Sequence, residues 1–114
     1  MKCVLILEDE PLIAIDLQFA CEDLGLRSVT AADCGQALEA YGLQAFDGAI
    51  LDVNLGKGET CEAVVRRLRA DGIPFILHTG DLNRVGEYLR EVGAPIVAKP
   101  SPAETVVERL LALA

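Results

Sequence analysis

Histidine is almost missing from this chain of 114 residues, and its four cysteines form no C-x-x-C pair. Only His78 could join Cys3, Cys21, Cys34 and Cys61 as a metal ligand, so a zinc site is disfavoured. The cysteines are expected as reduced thiols in or near the core. No run approaches the roughly 18 apolar residues of a membrane span. The N-terminus runs from Met1-Lys2-Cys3-Val4 into Glu8, Asp9 and Glu10, where a signal peptide would reach a small-residue cleavage site. A cytoplasmic protein without membrane insertion is therefore expected. Positive charge is scarce too: 10 Lys and Arg against 18 Asp and Glu leave a net charge of -8. Such a surface repels phosphate backbones, and direct nucleic-acid binding is not expected. There are no repeats, linkers or low-complexity segments, and the length suits one domain over residues 1–114.

The apolar share of 52% is enough for a packed core. Its pattern alternates. Cys3 to Leu7 is a continuous apolar run and reads as a strand buried on both faces. Pro11 suits a first helical turn, and Ile13, Leu17, Ala20 and Leu24 follow at helical spacing up to Gly25. Residues 26–32 are more polar and fit an edge strand. Asp33 with Gln36 resembles a capping box, followed by a stripe of Cys34, Ala37, Leu38 and Tyr41. Asp47 to Leu51 is the third strand. Cys61, Val64, Val65 and Leu68 mark an amphipathic helix ending near Gly72. Its Arg66, Arg67 and Arg69 read as a solvated face set against the negative end of the helix dipole.

A fourth strand, Phe75-Ile76-Leu77, leads into His78-Thr79-Gly80. Leu82, Val85, Leu89 and Val92 form a further helical stripe closed by Gly93. Ile96 to Ala98 is a fifth strand. Ser101-Pro102-Ala103-Glu104 then reads as a capped helix start, with Val106, Val107, Leu110 and Leu113 facing inward. Five strands alternating with five helices predict an α/β fold: a doubly wound parallel sheet in the order 2-1-3-4-5, flavodoxin-like.

This topology gathers the polar residues. Glu8 and Asp9 follow the first strand, Asp52 the third, Thr79 the fourth and Lys99 the fifth, all at one edge of the sheet. Three clustered carboxylates repel one another unless protons or a cation intervene. All-oxygen ligands select a hard ion, Mg²⁺ or Mn²⁺. Lys99 and the Thr79 hydroxyl could bind further phosphate oxygens, an arrangement that suits phosphoryl transfer, with a carboxylate as acceptor. His78 alternates to the other side of its strand and reads as a packed or solvated residue.

The motifs Leu7-Glu8-Asp9-Glu10-Pro11, Leu51-Asp52-Val53-Asn54-Leu55, Thr79-Gly80 and Lys99-Pro100 stand in register over the whole chain and resemble the response-regulator receiver domains. The resemblance implies that Asp52 accepts a phosphoryl group from a phosphohistidine of a sensor histidine kinase or histidine phosphotransfer protein. It implies Asp9 as a direct Mg²⁺ ligand, Glu8 as a water-mediated one, and the Asn54 backbone carbonyl as a third protein ligand beside Asp52. Thr79 and Lys99 would bind the phosphoryl group. The resemblance, with the tight turn after Lys99, also implies a cis Lys99–Pro100 bond. Two positions depart from the family: Ile96 stands where an aromatic switch residue is common, and Ser101 where Phe is common. Pro74 to Gly80 is similar to a subgroup with a Pro-Phe start and a Thr-Gly end, yet Asp81 replaces the aromatic that usually follows.

Expected partners are the phosphodonor protein and a downstream protein target, with a second copy of the chain as a further candidate. Two other function classes stand beside this one. A degenerate receiver would serve as a protein-binding scaffold without phosphorylation. An aspartate-nucleophile phosphatase would carry D-x-D on the first strand, whereas the nearest pattern here is Asp52-Val53-Asn54 on the third. Gly56-Lys57-Gly58 lacks the first glycine and the final Ser or Thr of a P-loop. No G-x-G-x-x-G follows the first strand to suggest a dinucleotide site.

Overall fold

The computed structural model describes residues 1–52, 61–80 and 87–113. Its strands are β1 (Cys3–Leu7), β2 (Arg27–Ala31), β3 (Gly48–Leu51), β4 (Phe75–Thr79) and β5 (Ile96–Ala98). Its helices are α1 (Pro11–Asp23), α2 (Cys34–Leu43), α3 (Glu62–Ala70), α4 (Glu87–Val92) and α5 (Ala103–Leu111). The strands pair in parallel in the order β2-β1-β3-β4-β5, as the alternation predicts. The expectation of five helices needs qualification. Among the described residues four helices have nine residues or more, and α4 is described over six, because the first part of its expected stripe, Leu82 and Val85, lies outside the described residues.

Alternation along the strands splits the core into two layers. Leu5, Leu7, Ala49, Leu51, Phe75 and Leu77 pack against Ala37 of α2, Val64, Val65 and Leu68 of α3, and Leu89 of α4. Val4, Ile6, Ile50, Ile76 and Val97 face the other way, onto Leu17, Ala20 and Cys21 of α1 and Val106, Val107 and Leu110 of α5. The central strands β1, β3 and β4 are buried throughout, which explains their unbroken apolar runs, while β2 and β5 are partly exposed edges.

Local chemistry sets the helix boundaries. Asp33 caps α2 by accepting a 2.8 Å hydrogen bond from the Gln36 N–H, and the Gln36 side chain accepts from the Ala32 N–H at 2.9 Å. Gly25 and Gly72 turn the chain out of α1 and α3 at φ of 78° and 69°, a region that costs glycine little.

Several expectations are corrected. Ser101 does not cap α5: its hydroxyl donates back to the Ala98 carbonyl at 2.5 Å, Pro102 takes the cap position, and the helix starts at Ala103. Leu24 and Leu113 lie outside their helices and are partly exposed. Asp47 lies before β3 and accepts hydrogen bonds from the Lys2 and Cys3 N–H groups, at 2.8 and 2.9 Å. Arg67 is not simply solvated, since its guanidinium lies 5.0 Å from the centre of the Tyr41 ring. Cys3 and Cys21 are free buried thiols, as expected, but Cys34 and Cys61 are joined in a disulfide. The two helices they begin pack side by side, and sequence spacing alone does not reveal that.

Candidate functional site

The parallel ladder carries the site residues one rung past the sheet. Leu7 and Leu51 are register partners. Beyond them the Glu8 N–H donates to the Ala31 carbonyl at 2.9 Å and the Asp52 N–H to the Leu7 carbonyl at 2.8 Å. On the other flank the Lys99 N–H donates to the Thr79 carbonyl at 2.9 Å. Backbone hydrogen bonds thus hold Glu8, Asp52 and Lys99 at fixed heights above the C-terminal edge, where ligands bind in open α/β sheets. The Lys99–Pro100 peptide bond is cis, as the resemblance implies.

Glu8, Asp52 and Thr79 are buried, and Asp9 is exposed at the rim. Each of the three acids offers a carboxylate oxygen, and these oxygens lie within 4.8 Å of one another. Lys99 Nζ reaches Glu8 at 2.9 and 3.1 Å and Asp52 Oδ2 at 2.9 Å. One ammonium therefore bridges two of the three carboxylates. Burial pushes the Glu8 carboxyl up to about 7, partly offset by its hydrogen bond to Lys99 and reinforced by the nearby charge of Asp52. Burial works against the Lys99 charge, but its hydrogen bonds to Asp52 and Glu8 outweigh it and hold the ammonium above its ordinary pKa.

The sequence reading brings Glu8, Asp9, Asp52, Thr79 and Lys99 to one edge, and the structure places all five there. Asn54 lies outside the described residues. What that reading misses is the Lys99–Glu8 pair, because it reserves Lys99 for a phosphoryl oxygen. The signal was present: an ammonium among three acids binds the acids first.

His78 is buried on the α1/α5 face, and neither ring nitrogen has a hydrogen-bond partner in the protein. Burial, with the Lys99 charge, pushes its pKa down to about 4, so it is neutral at ordinary pH. It lines a cavity of about 240 Å³ with Ile13, Leu17, Lys99 and Ala103.

A family model for the response regulator receiver domain matches residues 4–111. The chain belongs to the response regulator receiver domain family. Solved structures agree with this assignment. SdrG from Sphingomonas melonis Fr1 is 37% identical, with 98% of this chain and 94% of that one covered and a TM-score of 0.82. The chemotaxis response regulator CheY4 of Vibrio cholerae is 27% identical, with 100% and 99% covered and a TM-score of 0.82. The response regulator TrrA of Thermotoga maritima, solved in complex with Mg²⁺ and BeF, shares the fold at 22% identity, with 100% of both chains covered and a TM-score of 0.83. No protein of curated function matches the sequence. This receiver domain is thus a module of two-component signalling. No helix among its described residues is long and apolar enough to cross a membrane.

Proposed function

We propose that this receiver domain accepts a phosphoryl group on Asp52 from a phosphohistidine of a sensor histidine kinase or histidine phosphotransfer protein, and passes the signal to a protein target. The observation that carries the reading is the juxtaposition of Asp52 with Glu8 and Asp9, all within 4.8 Å, under an ammonium 2.9 Å away. In the transfer, an Asp52 carboxylate oxygen attacks phosphorus. The new P–O bond forms as the P–N bond breaks, and the imidazole leaves with the electron pair of that bond. Lys99 is close enough to trade one of its carboxylate hydrogen bonds for a phosphoryl oxygen, and Thr79, at the end of β4, supplies a hydroxyl.

The donor set fits a hard divalent cation. Glu8, Asp9 and Asp52 offer only oxygens, and the Asn54 carbonyl would add a fourth. When bound, Mg²⁺ or Mn²⁺ neutralises charge on the carboxylates and on the phosphoryl oxygens. TrrA, which shares the fold, binds such a pair of ligands.

Readout does not use an aromatic rotor, because position 96 is isoleucine, stiff at χ1. The target-binding surface includes residues 87–92, β5 and the start of α5; residues 82–86, which belong to the same expectation, lie outside the described residues. The domain acts in the cytoplasm, where its phosphodonors present their phosphohistidines.

The test is intact-mass spectrometry after treatment with phosphoramidate and MgCl2. The wild type should gain one phosphoryl group, while Asp52→Asn and a metal-free control should gain none. Phosphate retained in Asp52→Asn would overturn the assignment. A wild type that takes up none would instead favour the scaffold reading, which the Lys99 bridge also accommodates, since it sets a positive charge against two of the acids without a metal.

A further inference from the structure

The phosphoacceptor reading leaves one reactive pair unused. Cys34 is the first residue of α2 and Cys61 the N-cap of α3. They are 27 residues apart in sequence, yet bonded, with Cα atoms 5.5 Å apart, inside the range a disulfide requires. Between them in the chain lie β3 and Asp52, so the bond ties the start of α3 to the start of α2 across the segment that carries the phosphoacceptor.

Two further observations separate this pair from an inert core disulfide. Both cysteines sit at the N-terminal ends of helices, where the backbone dipole favours negative charge on sulfur. Cys34 is only half-buried, so a small thiol or oxidant can reach the bond. The other two cysteines contrast with Cys34, though not with Cys61, which is buried as they are. Cys3 and Cys21 lie buried in the two core layers, and burial, with Cys3 nearby, pushes the Cys21 thiol up to about 11.

We propose that Cys34 and Cys61 are a reversible redox-modification site, with hydrogen peroxide as oxidant and a small thiol as reductant, that fastens the start of α2 to the start of α3. In oxidation, one thiolate attacks a peroxide oxygen and the O–O bond breaks. A sulfenic acid forms and one water leaves. The second thiol attacks that sulfur, the S–S bond forms, and the sulfenic oxygen leaves as a second water. The two sulfurs together lose two electrons and the peroxide gains them. In reduction, two thiols of the reductant become its disulfide and return two electrons and two protons.

The site is tested on the full chain, reduced with dithiothreitol, freed of reductant and treated with hydrogen peroxide. Peptide mapping without reductant should show one cross-linked species joining Cys34 to Cys61, with Cys3 and Cys21 still as thiols after unfolding. Dithiothreitol added to the folded protein should reverse it. The oxidised wild type should melt higher than the reduced wild type, by on the order of 10 °C. Cys34→Ser and Cys61→Ser should each lose the cross-link and that difference. The comparison of oxidised with reduced wild type stands even where a variant fails to fold. Separate alkylation of Cys34 and Cys61 after peroxide would overturn the proposal. So would their conversion to sulfinic acids without a cross-link, or a cross-link that dithiothreitol leaves intact in the folded protein.

Discussion

Two buried polar places lie at the C-terminal edge of the sheet, and they keep their peace with the core by different means. On one side, Glu8, Asp52 and Lys99 are knit by hydrogen bonds of 2.9 to 3.1 Å. On the other, His78 is just as deeply buried and has no protein partner at either nitrogen. Burial is the leading cause of the shift at both Glu8 and His78, and it drives each toward its uncharged form, up to about 7 for the acid and down to about 4 for the base. The difference lies in the neighbours. Lys99 keeps its charge because carboxylates touch it, whereas Glu8, even with Lys99 against it, and His78, with no partner in the protein, are both driven toward neutrality by burial.

The sharpest way to break this comparison is to remove the ammonium. Lys99→Met should remove the positive charge that bridges Asp52 and Glu8 and cost about 3–5 kcal/mol at pH 8, read by urea denaturation. The loss should be smaller at pH 5, where Glu8 carries a proton. An equal loss at both pH values would mean that packing of the lysine stem, not its charge, holds the site.

Next in size is the pH dependence of Glu8. Its folded pKa lies above the ordinary 4.5, at about 7, so the folded state binds more protons between those values. Stability from this group is therefore greatest below pH 4.5 and falls as pH rises to about 7, by roughly 3 kcal/mol at most. Glu8→Gln should remove that fall in metal-free buffer. A wild type and a Gln variant with parallel stability curves from pH 5 to 8 would refute the assignment.

The smallest effect at pH 7 belongs to His78. Its folded pKa lies below the ordinary 6.5, so its contribution has the opposite slope: stability is lost as pH falls from 6.5 toward 4. His78→Leu should flatten that acid limb. At pH 7 it should change stability by only about 1 kcal/mol, and in the stabilising direction, because it removes two unpaired nitrogens. A loss of several kcal/mol at pH 7 would show that the ring is held by partners the comparison leaves out.

The contrast also marks what could be read from the chain. The sheet order was legible because three strands are unbroken apolar runs, and only central strands need that. The five described site residues were legible because each stands at or just past the C-terminal end of a strand, and parallel strands end at one edge. The Asp33 cap was legible for a local reason, since its partner Gln36 is three residues away. What escaped depends on distance through space. Ser101 has the right neighbours for a cap, but the bend after Ala98 offers its hydroxyl a nearer carbonyl. Cys34 and Cys61 meet only because α2 and α3 lie side by side. Tyr41 looked like one more apolar stripe residue. It packs against Phe46, takes the Arg67 guanidinium on its face, and gives its hydroxyl hydrogen to Asp71.

The position of Lys99 has a consequence for the order in which this protein becomes whole. The acids come from the first and third strands, but the ammonium that bridges two of them arrives on the fifth. That strand is the shortest in the sheet, with three residues, and it has one edge open to solvent. A growing chain therefore carries its acidic cluster through most of its synthesis and acquires the bridging charge almost last. Docking of β5 closes a charge pair between segments 91 residues apart in sequence, in addition to its few ladder bonds. The weakest edge of the sheet is thereby tied to its centre, and fraying at that edge must separate opposite charges as well as break backbone bonds. In amide exchange, the β5 ladder should open as part of the whole domain rather than as a loose end.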